Sequence, residues 1–128
     1  MLVSKEFIFD AAHNLIHYHE KCEKLHGHTY KLRVVLEGTP DSEGMIMDFC
    51  ELSDIVKANV ISRLDHSYLN EIIEQPSAEN IALWIWRELE GRVLRENCSL
   101  YEIYVWETAT SCVVLRKSDN IANTVYFL

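Results

Sequence analysis

Several things are missing from this chain, and each absence removes a class of protein. No uninterrupted apolar run approaches the roughly 18 residues of a membrane-spanning helix. Lys5 and Glu6 break the opening segment MLVSKEFIFDAAHN before a targeting stretch can form, so no membrane partner is expected. Positive charge is scarce: 12 Lys and Arg against 20 Asp and Glu leave a net charge of −8. The few cations are scattered, which argues against a basic stripe for nucleic acid. There is no CxxC pair. Cys22, Cys50, Cys98 and Cys112 stand far apart behind no secretion signal, and read as reduced thiols of a soluble, cytoplasmic protein. Glycine and proline are few, at four and two, and no repeat or low-complexity tract occurs. At 48% apolar and 25% charged residues, disordered and collagen-like classes are excluded. A length of 128 residues fits one domain, 1–128, and is short for two cores.

What is present is a readable order of elements. Val3, Phe7, Phe9 and Ala11 share a face with His13, which predicts a strand over Leu2 to His13. Asn14 to Leu25 has no period and reads as a loop. Tyr30, Leu32, Val34 and Leu36 alternate with polar residues and predict a second strand over His26 to Glu37. Gly38 to Gly44 is rich in turn formers. A helix then follows, with Asp48 as N-cap, Glu51 three residues on, and Phe49, Leu52, Ile55, Val56, Val60 and Leu64 at steps of three and four. Ser77, after Pro76, starts a second helix with Ala78, Ala82, Ile85, Trp86, Leu89 and Val93 on its apolar face, ending near Asn97. Strands are expected over Leu100 to Thr108 and Ser111 to Lys117, and Asn123 to Leu128 as an edge pairing. Two helices on one face of an antiparallel sheet make an α+β fold. Three Trp, six Tyr and four Phe in so small a chain point to subunit association as cover for the sheet's other face and edges.

The chemistry concentrates on histidine. His26 and His28 are two apart on a strand, so both rings project to one face, about 6.6 Å apart. His13 ends the first strand. If the two strands are neighbours, three imidazole nitrogens converge on a single Zn²⁺ and leave a fourth position open, the arrangement of a catalytic site. Gly27 between the ligands would let a substrate or a backbone approach closely. The alternative for His13 is a histidine in the aromatic cluster beside Phe9. His17 and His19 read as solvated loop residues.

Three further positions carry open alternatives. Cys22, four residues before His26, is a fourth ligand, a buried thiol, or an acid/base and nucleophilic group beside Lys21 and Lys24. Asp65 either fixes the tautomer of His66 for general-base work or caps a short helix over Ser67 to Ile72. Glu107, on the parity of Tyr101, Ile103 and Val105, is an edge device or a bidentate acceptor for a planar donor pair.

The segments FDAAH (9–13), CEKLHGHTY (22–30), GMIMDF (44–49), LDHSYLN (64–70), PSAEN (76–80) and WET (106–108), in order over nearly the whole chain, resemble the 6-pyruvoyltetrahydropterin and 6-carboxytetrahydropterin synthase family. The resemblance implies the tunnelling fold: a ββααββ subunit whose sheets join in trimers into a barrel, two trimers forming a homohexamer with active sites between subunits. It implies His13, His26 and His28 as zinc ligands, Cys22, Asp65 and His66 as proton-transfer groups, Glu107 as pterin anchor and Thr108 as its assistant. The three residues between Cys22 and the HGH motif, and the short chain, are similar to the bacterial branch serving queuosine biosynthesis. That branch converts 7,8-dihydroneopterin triphosphate to 6-carboxy-5,6,7,8-tetrahydropterin, with release of acetaldehyde and triphosphate. A pyruvoyl-type synthase, a three-histidine zinc hydrolase and a non-catalytic zinc-tied module are the competing expectations. The net charge of −8 repels a triphosphate at long range, so capture must depend on the metal and on local cations.

Overall fold

The structure is a computed structural model that describes residues 1–16 and 23–119. Alternation builds its centre. β1 (Leu2–His13) and β2 (His26–Gly38) pair antiparallel over their whole length, from Leu2 opposite Glu37 to His13 opposite His26. β4 (Cys98–Thr108) lies on the other side of β2, and β5 (Ser111–Arg116) on the outside of β4, both antiparallel. A two-residue β3 (Ser67–Tyr68) runs parallel to β1, giving the order β3-β1-β2-β4-β5. Phe7, Phe9, Tyr30, Leu32, Val34 and Leu36 point to one face and are buried. Phe9 and Tyr30 stack with ring centres 5.0 Å apart.

Two helical segments close that face. α1 (Phe49–Val56) starts where the Asp48 carboxylate accepts from the Cys50 N–H at 2.6 Å, satisfying an orphan donor of the first turn. It runs into a π-helical stretch (Lys57–Ile61) and a last turn, α2 (Ser62–Leu64). Leu52, Val56, Val60 and Leu64, each four residues apart, are all fully buried. Four-residue steps drift by about 40° in a regular α-helix. The wider π turns reverse part of that drift and keep the row on the core. Phe49, expected on this row, is 53% exposed because it precedes the first full turn.

α3 (Ala78–Val93) is capped by the Ser77 hydroxyl, which accepts from the Asn80 N–H at 3.2 Å. It ends at Val93, short of the expected Asn97, because Leu94 leaves helical backbone and Arg95 pairs with Cys98 in a tight turn. The other sheet face carries a ladder of charge on aromatic surface. Arg33 packs on Tyr104 and Trp106, Lys31 lies 4.2 Å from the Trp106 ring centre, and Arg33 also pairs with Glu6 at 2.7 Å. Among the described residues Cys50, Cys98 and Cys112 are free thiols. The expected edge segment Asn123 to Leu128 lies outside the described residues.

Gly38 ends β2 where the chain passes under Asn97. A Cβ there would lie 2.1 Å from the Asn97 carbonyl oxygen and 2.8 Å from the Cys98 Cβ. Both are on a turn held by the Thr39 N–H bond to Asn97 O, so neither yields easily. Gly38→Ala is expected to destabilise the protein by about 1–3 kcal/mol, the usual cost of overpacking. A thermal melt checks this, and an unchanged midpoint would mean that the turn slides freely.

Candidate metal centre

The inward row of β1 ends on His13, and the inward row of β2 begins with His26 and His28. Antiparallel pairing sets His13 opposite His26 and Ala11 opposite His28, so the three rings meet at one end of the β1/β2 pair. Ring centres lie 4.7 Å (13 to 26), 5.1 Å (13 to 28) and 4.8 Å (26 to 28) apart, and one nitrogen of each falls within 4.8 Å of the others. His13 is buried, through its place between the two strands and the start of α3.

Outer partners aim the rings. Nδ1 of His13 is 2.8 Å from the Pro76 carbonyl oxygen, and Nδ1 of His26 is 2.8 Å from that of Lys24. A carbonyl only accepts, so each Nδ1 carries the proton and each Nε2 keeps a free lone pair. The His28 Nε2 is buried and has no hydrogen-bond partner among the described residues. Burial, opposed by the nearby Glu107 carboxylate, pulls the His28 pKa below its ordinary value and favours the neutral ring a metal requires. An orphaned buried nitrogen beside two oriented Nε2 atoms is a donor set that fits Zn²⁺, for which imidazole is a preferred ligand. The Pro76 carbonyl has no sequence signal, since every residue owns one. Gly27 is less constrained than expected: a Cβ there would meet only Ala11 O, at an ordinary 3.4 Å.

Glu107 enters the same end from β4. Its Oε1 lies 3.2 Å from His13 Nε2 and 3.4 Å from His28 Nε2. Leu36 pairs with Leu100 and Val35 with Glu102, so Tyr101 is the extra residue of a β-bulge and not a member of the Ile103 and Val105 row. A second bulge falls on Glu107 itself, between the pairs Trp106 with Cys112 and Thr108 with Ser111. Thr108 is exposed, and its hydroxyl is 3.4 Å from the Thr110 N–H.

Asp65 and His66 assemble elsewhere, against Asp10. The chain turns sharply at His66, which adopts a left-handed φ of 58°. Asp10 on β1 holds the turn with two bonds: the His66 N–H donates to Asp10 O at 2.6 Å, and the Asp10 N–H donates to the Asp65 carboxylate at 2.9 Å. The Asp65 Oδ2 lies 3.0 Å from His66 Nδ1. The turn thus lets two sequence neighbours face each other, which a regular helix forbids. The alternative of a cap is not realised, because Ser67 and Tyr68 form β3 and only Leu69–Glu71 is a 3-10 turn, with no side-chain cap. Asp10, Asp65 and His66 bring their ligating atoms within 4.8 Å of one another, as a group apart from the three histidines. The His66 side chain is 80% exposed.

The Asp10 N–H, ahead of the His66 contact, holds the Asp65 carboxyl below its ordinary value of 3.8. A lowered folded-state value means that the link stabilises at neutral pH and is lost only as pH falls below the ordinary value and through the lowered one. Thermal midpoints measured from pH 5 downward are expected to fall less steeply in Asp65→Asn, which keeps the acceptor oxygen but does not titrate. Identical slopes would show that the carboxylate is not coupled to folding.

Cys22, His17 and His19 lie outside the described residues. On either side of them, the Glu23 N–H donates to Leu15 O at 3.0 Å and the Leu15 N–H to the Glu23 carboxylate at 3.2 Å. Asn70, which residue patterns did not single out, clamps the end of β1: its side chain accepts from the Asn14 N–H and donates to Asn14 O.

A family model described as 6-pyruvoyl tetrahydropterin synthase matches residues 2–118. A protein of Synechocystis sp. named 6-carboxy-5,6,7,8-tetrahydropterin synthase is 40% identical over 117 residues, covering 86% of this chain and 88% of its own. A Pyrococcus furiosus protein named dihydroneopterin monophosphate aldolase is 45% identical over 98 residues, 73% of this chain and 82% of its own. The solved Caenorhabditis elegans 6-pyruvoyl tetrahydropterin synthase superposes with a TM-score of 0.75 over 92% of this chain and 96% of its own, at 22% identity. That last likeness speaks for the fold, and the α+β sheet with its helices on one face is the fold that it shares. Matched along nearly its whole described length, this chain belongs to the 6-pyruvoyl tetrahydropterin synthase family, an enzyme family of pterin biosynthesis.

Proposed function

We propose that this protein is a zinc-dependent 6-carboxy-5,6,7,8-tetrahydropterin synthase, a carbon–carbon lyase that converts 7,8-dihydroneopterin triphosphate and releases acetaldehyde and triphosphate, as a step of queuosine biosynthesis. The observation that carries the reading is the orphaned His28 Nε2 facing the nitrogens of His13 and His26, in a chain similar to a relative of that name. Zinc held by the three histidines supplies Lewis acidity, lowering the pKa of substrate hydroxyls and of the adjacent C–H bonds.

The remaining chemistry belongs to side chains. Cys22 and His66 move protons, and Asp65 keeps the His66 ring in one tautomer and supports its charge. Glu107 accepts the two parallel N–H bonds of the pterin's 2-amino-pyrimidinone edge, with Thr108 beside it. Because the Asp65–His66 pair groups with Asp10 and not with the three histidines, we assign it to the metal centre of a neighbouring subunit. A homohexamer of two stacked trimers, whose sheets close into a barrel, supplies that neighbour. Residues 1–128 act as one cytoplasmic domain.

Mass spectrometry of products from 7,8-dihydroneopterin triphosphate, incubated with metal-analysed protein, tests the reading. The 6-carboxy product with acetaldehyde is expected. Elimination of triphosphate with retention of the three-carbon side chain would make it a pyruvoyl-type synthase. A Cys22→Ala variant of full activity would instead favour a zinc hydrolase.

A further inference from the structure

The carbonyl that orients His13 is itself aimed by a turn just ahead of α3. The Ser77 N–H donates to Gln75 O at 2.8 Å, closing a three-residue γ-turn with Pro76 at its centre. The proline ring fixes φ at about −65°, close to the value of about −75° at the centre of an inverse γ-turn. Ser77 N–H and Pro76 C=O belong to one trans peptide unit, so they point in opposite directions. Holding the N–H on Gln75 O therefore sends the Pro76 carbonyl out of the turn, where it meets His13 Nδ1 at 2.8 Å. A second donor grips the same Gln75 oxygen: Asn80 Nδ2, also at 2.8 Å. Asn80 is the third residue of α3, where a capping box would place an acceptor for the N-cap N–H. Here the side chain donates instead, and the N-cap N–H of Ser77 goes to the Gln75 carbonyl.

That aim decides between two bonding patterns at His13. In the first, Nδ1–H donates to Pro76 O and Nε2 keeps its lone pair for a metal. In the second, the Tyr30 hydroxyl, 3.3 Å from Nδ1, donates to an unprotonated Nδ1, and the proton sits on Nε2, 3.2 Å from the Glu107 carboxylate. Both are complete sets of hydrogen bonds, but the second puts a proton on the very atom that a metal requires bare. The turn also grips β1 a second time, since Gln75 Oε1 accepts from the Ile16 N–H at 3.0 Å, three residues past His13. We propose that Asn80 is a positioning residue of the metal centre: by holding the Gln75–Pro76–Ser77 turn it keeps the Pro76 carbonyl on His13 Nδ1 and so selects the ligating tautomer. This rests on the zinc reading above and extends it from the ligands to the first turn of α3.

Asn80→Asp in the full chain is the test, since aspartate has the size of asparagine and suits the first turn of a helix, yet at neutral pH has no proton to offer Gln75 O. The metal-free variant is expected to melt close to wild type and, in long-range ¹H–¹⁵N spectra, to move the His13 proton from Nδ1 to Nε2. Zinc, in competition with a chelator, is expected to bind it about tenfold more weakly, the lower end of the roughly 10- to 100-fold typical of outer partners. The added negative charge favours zinc, so charge does not account for a weaker affinity. Ser77→Ala is the structural control: it removes the cap of α3 but leaves the Asn80 to Gln75 bond, and is expected to lower the melting midpoint with zinc affinity unchanged. Wild-type zinc affinity and tautomer in Asn80→Asp, or an equal loss of affinity in Ser77→Ala, would overturn the role of Asn80 and leave the three-histidine centre standing. Failure of wild type to bind zinc would overturn the zinc reading, while the metal-free spectra would still decide whether Asn80 sets the tautomer.

Discussion

His66→Ala is expected to keep its metal and its fold and to lose turnover by roughly 10²- to 10⁴-fold, the loss typical of a general acid or base. The reason lies in how the residue is held. The bonds that fix the turn at φ 58° are made by its backbone N–H and by Asp65, and the ring itself is 80% exposed. Removing the ring therefore takes away no core contact. Among the described residues its side-chain partner is the Asp65 carboxylate at 3.0 Å, an arrangement that selects a tautomer and steadies a proton. Asp65→Asn is expected to reduce turnover while retaining metal and shifting the acid limb of the pH–rate profile. Cys22→Ala, by the assignment above, joins the first class: metal kept, turnover lost. Full activity of the His66→Ala protein would remove the pair from the chemistry.

His28→Ala should show the converse, loss of the metal and with it of all turnover, in a protein that still folds. Its Nε2 has no hydrogen-bond partner among the described residues, and 19% of its side chain is exposed, so truncation opens a modest space at the sheet's end. Loss of a direct ligand should weaken metal binding beyond the roughly 10- to 100-fold typical of losing an outer partner. Metal analysis after dialysis against a chelator, alongside a melting curve, separates the two effects. His13→Ala differs in kind, because that buried ring also meets Pro76 O at 2.8 Å and the Tyr30 hydroxyl at 3.3 Å. It is expected to lower the melting midpoint as well. A His28→Ala protein that keeps one tightly bound metal would strike His28 from the ligand set.

Much of this molecule is written in short-range patterns. Alternation marked both long strands, because a pleated strand sends every second side chain into the core, and His13, His26 and His28 simply continue those rows. The cap at Asp48 was legible because a helix N-terminus needs a side-chain acceptor, and the start of α3 near Ser77 because proline favours a first helical turn. What failed were features without local cause. The bulge at Tyr101 puts both Leu100 and Ile103 on the buried face of the sheet, which the spacing of β4 by itself does not show. The π turns answer to the packing of Val56, Val60 and Leu64, which a three-and-four spacing describes equally well as a plain helix.

Residue order alone therefore determined the α+β class, the three imidazoles on inward rows and the candidates Cys22, Asp65, His66 and Glu107, since these depend on periodicity and residue chemistry within a few positions, whereas Thr108 came only with the family resemblance. Only the tertiary structure decided that Pro76 orients His13, that Asp10 holds the Asp65–His66 turn away from the histidines, and that Glu107 leans onto them. Those contacts join residues tens of positions apart through backbone groups and strand register, and backbone groups look alike in every sequence.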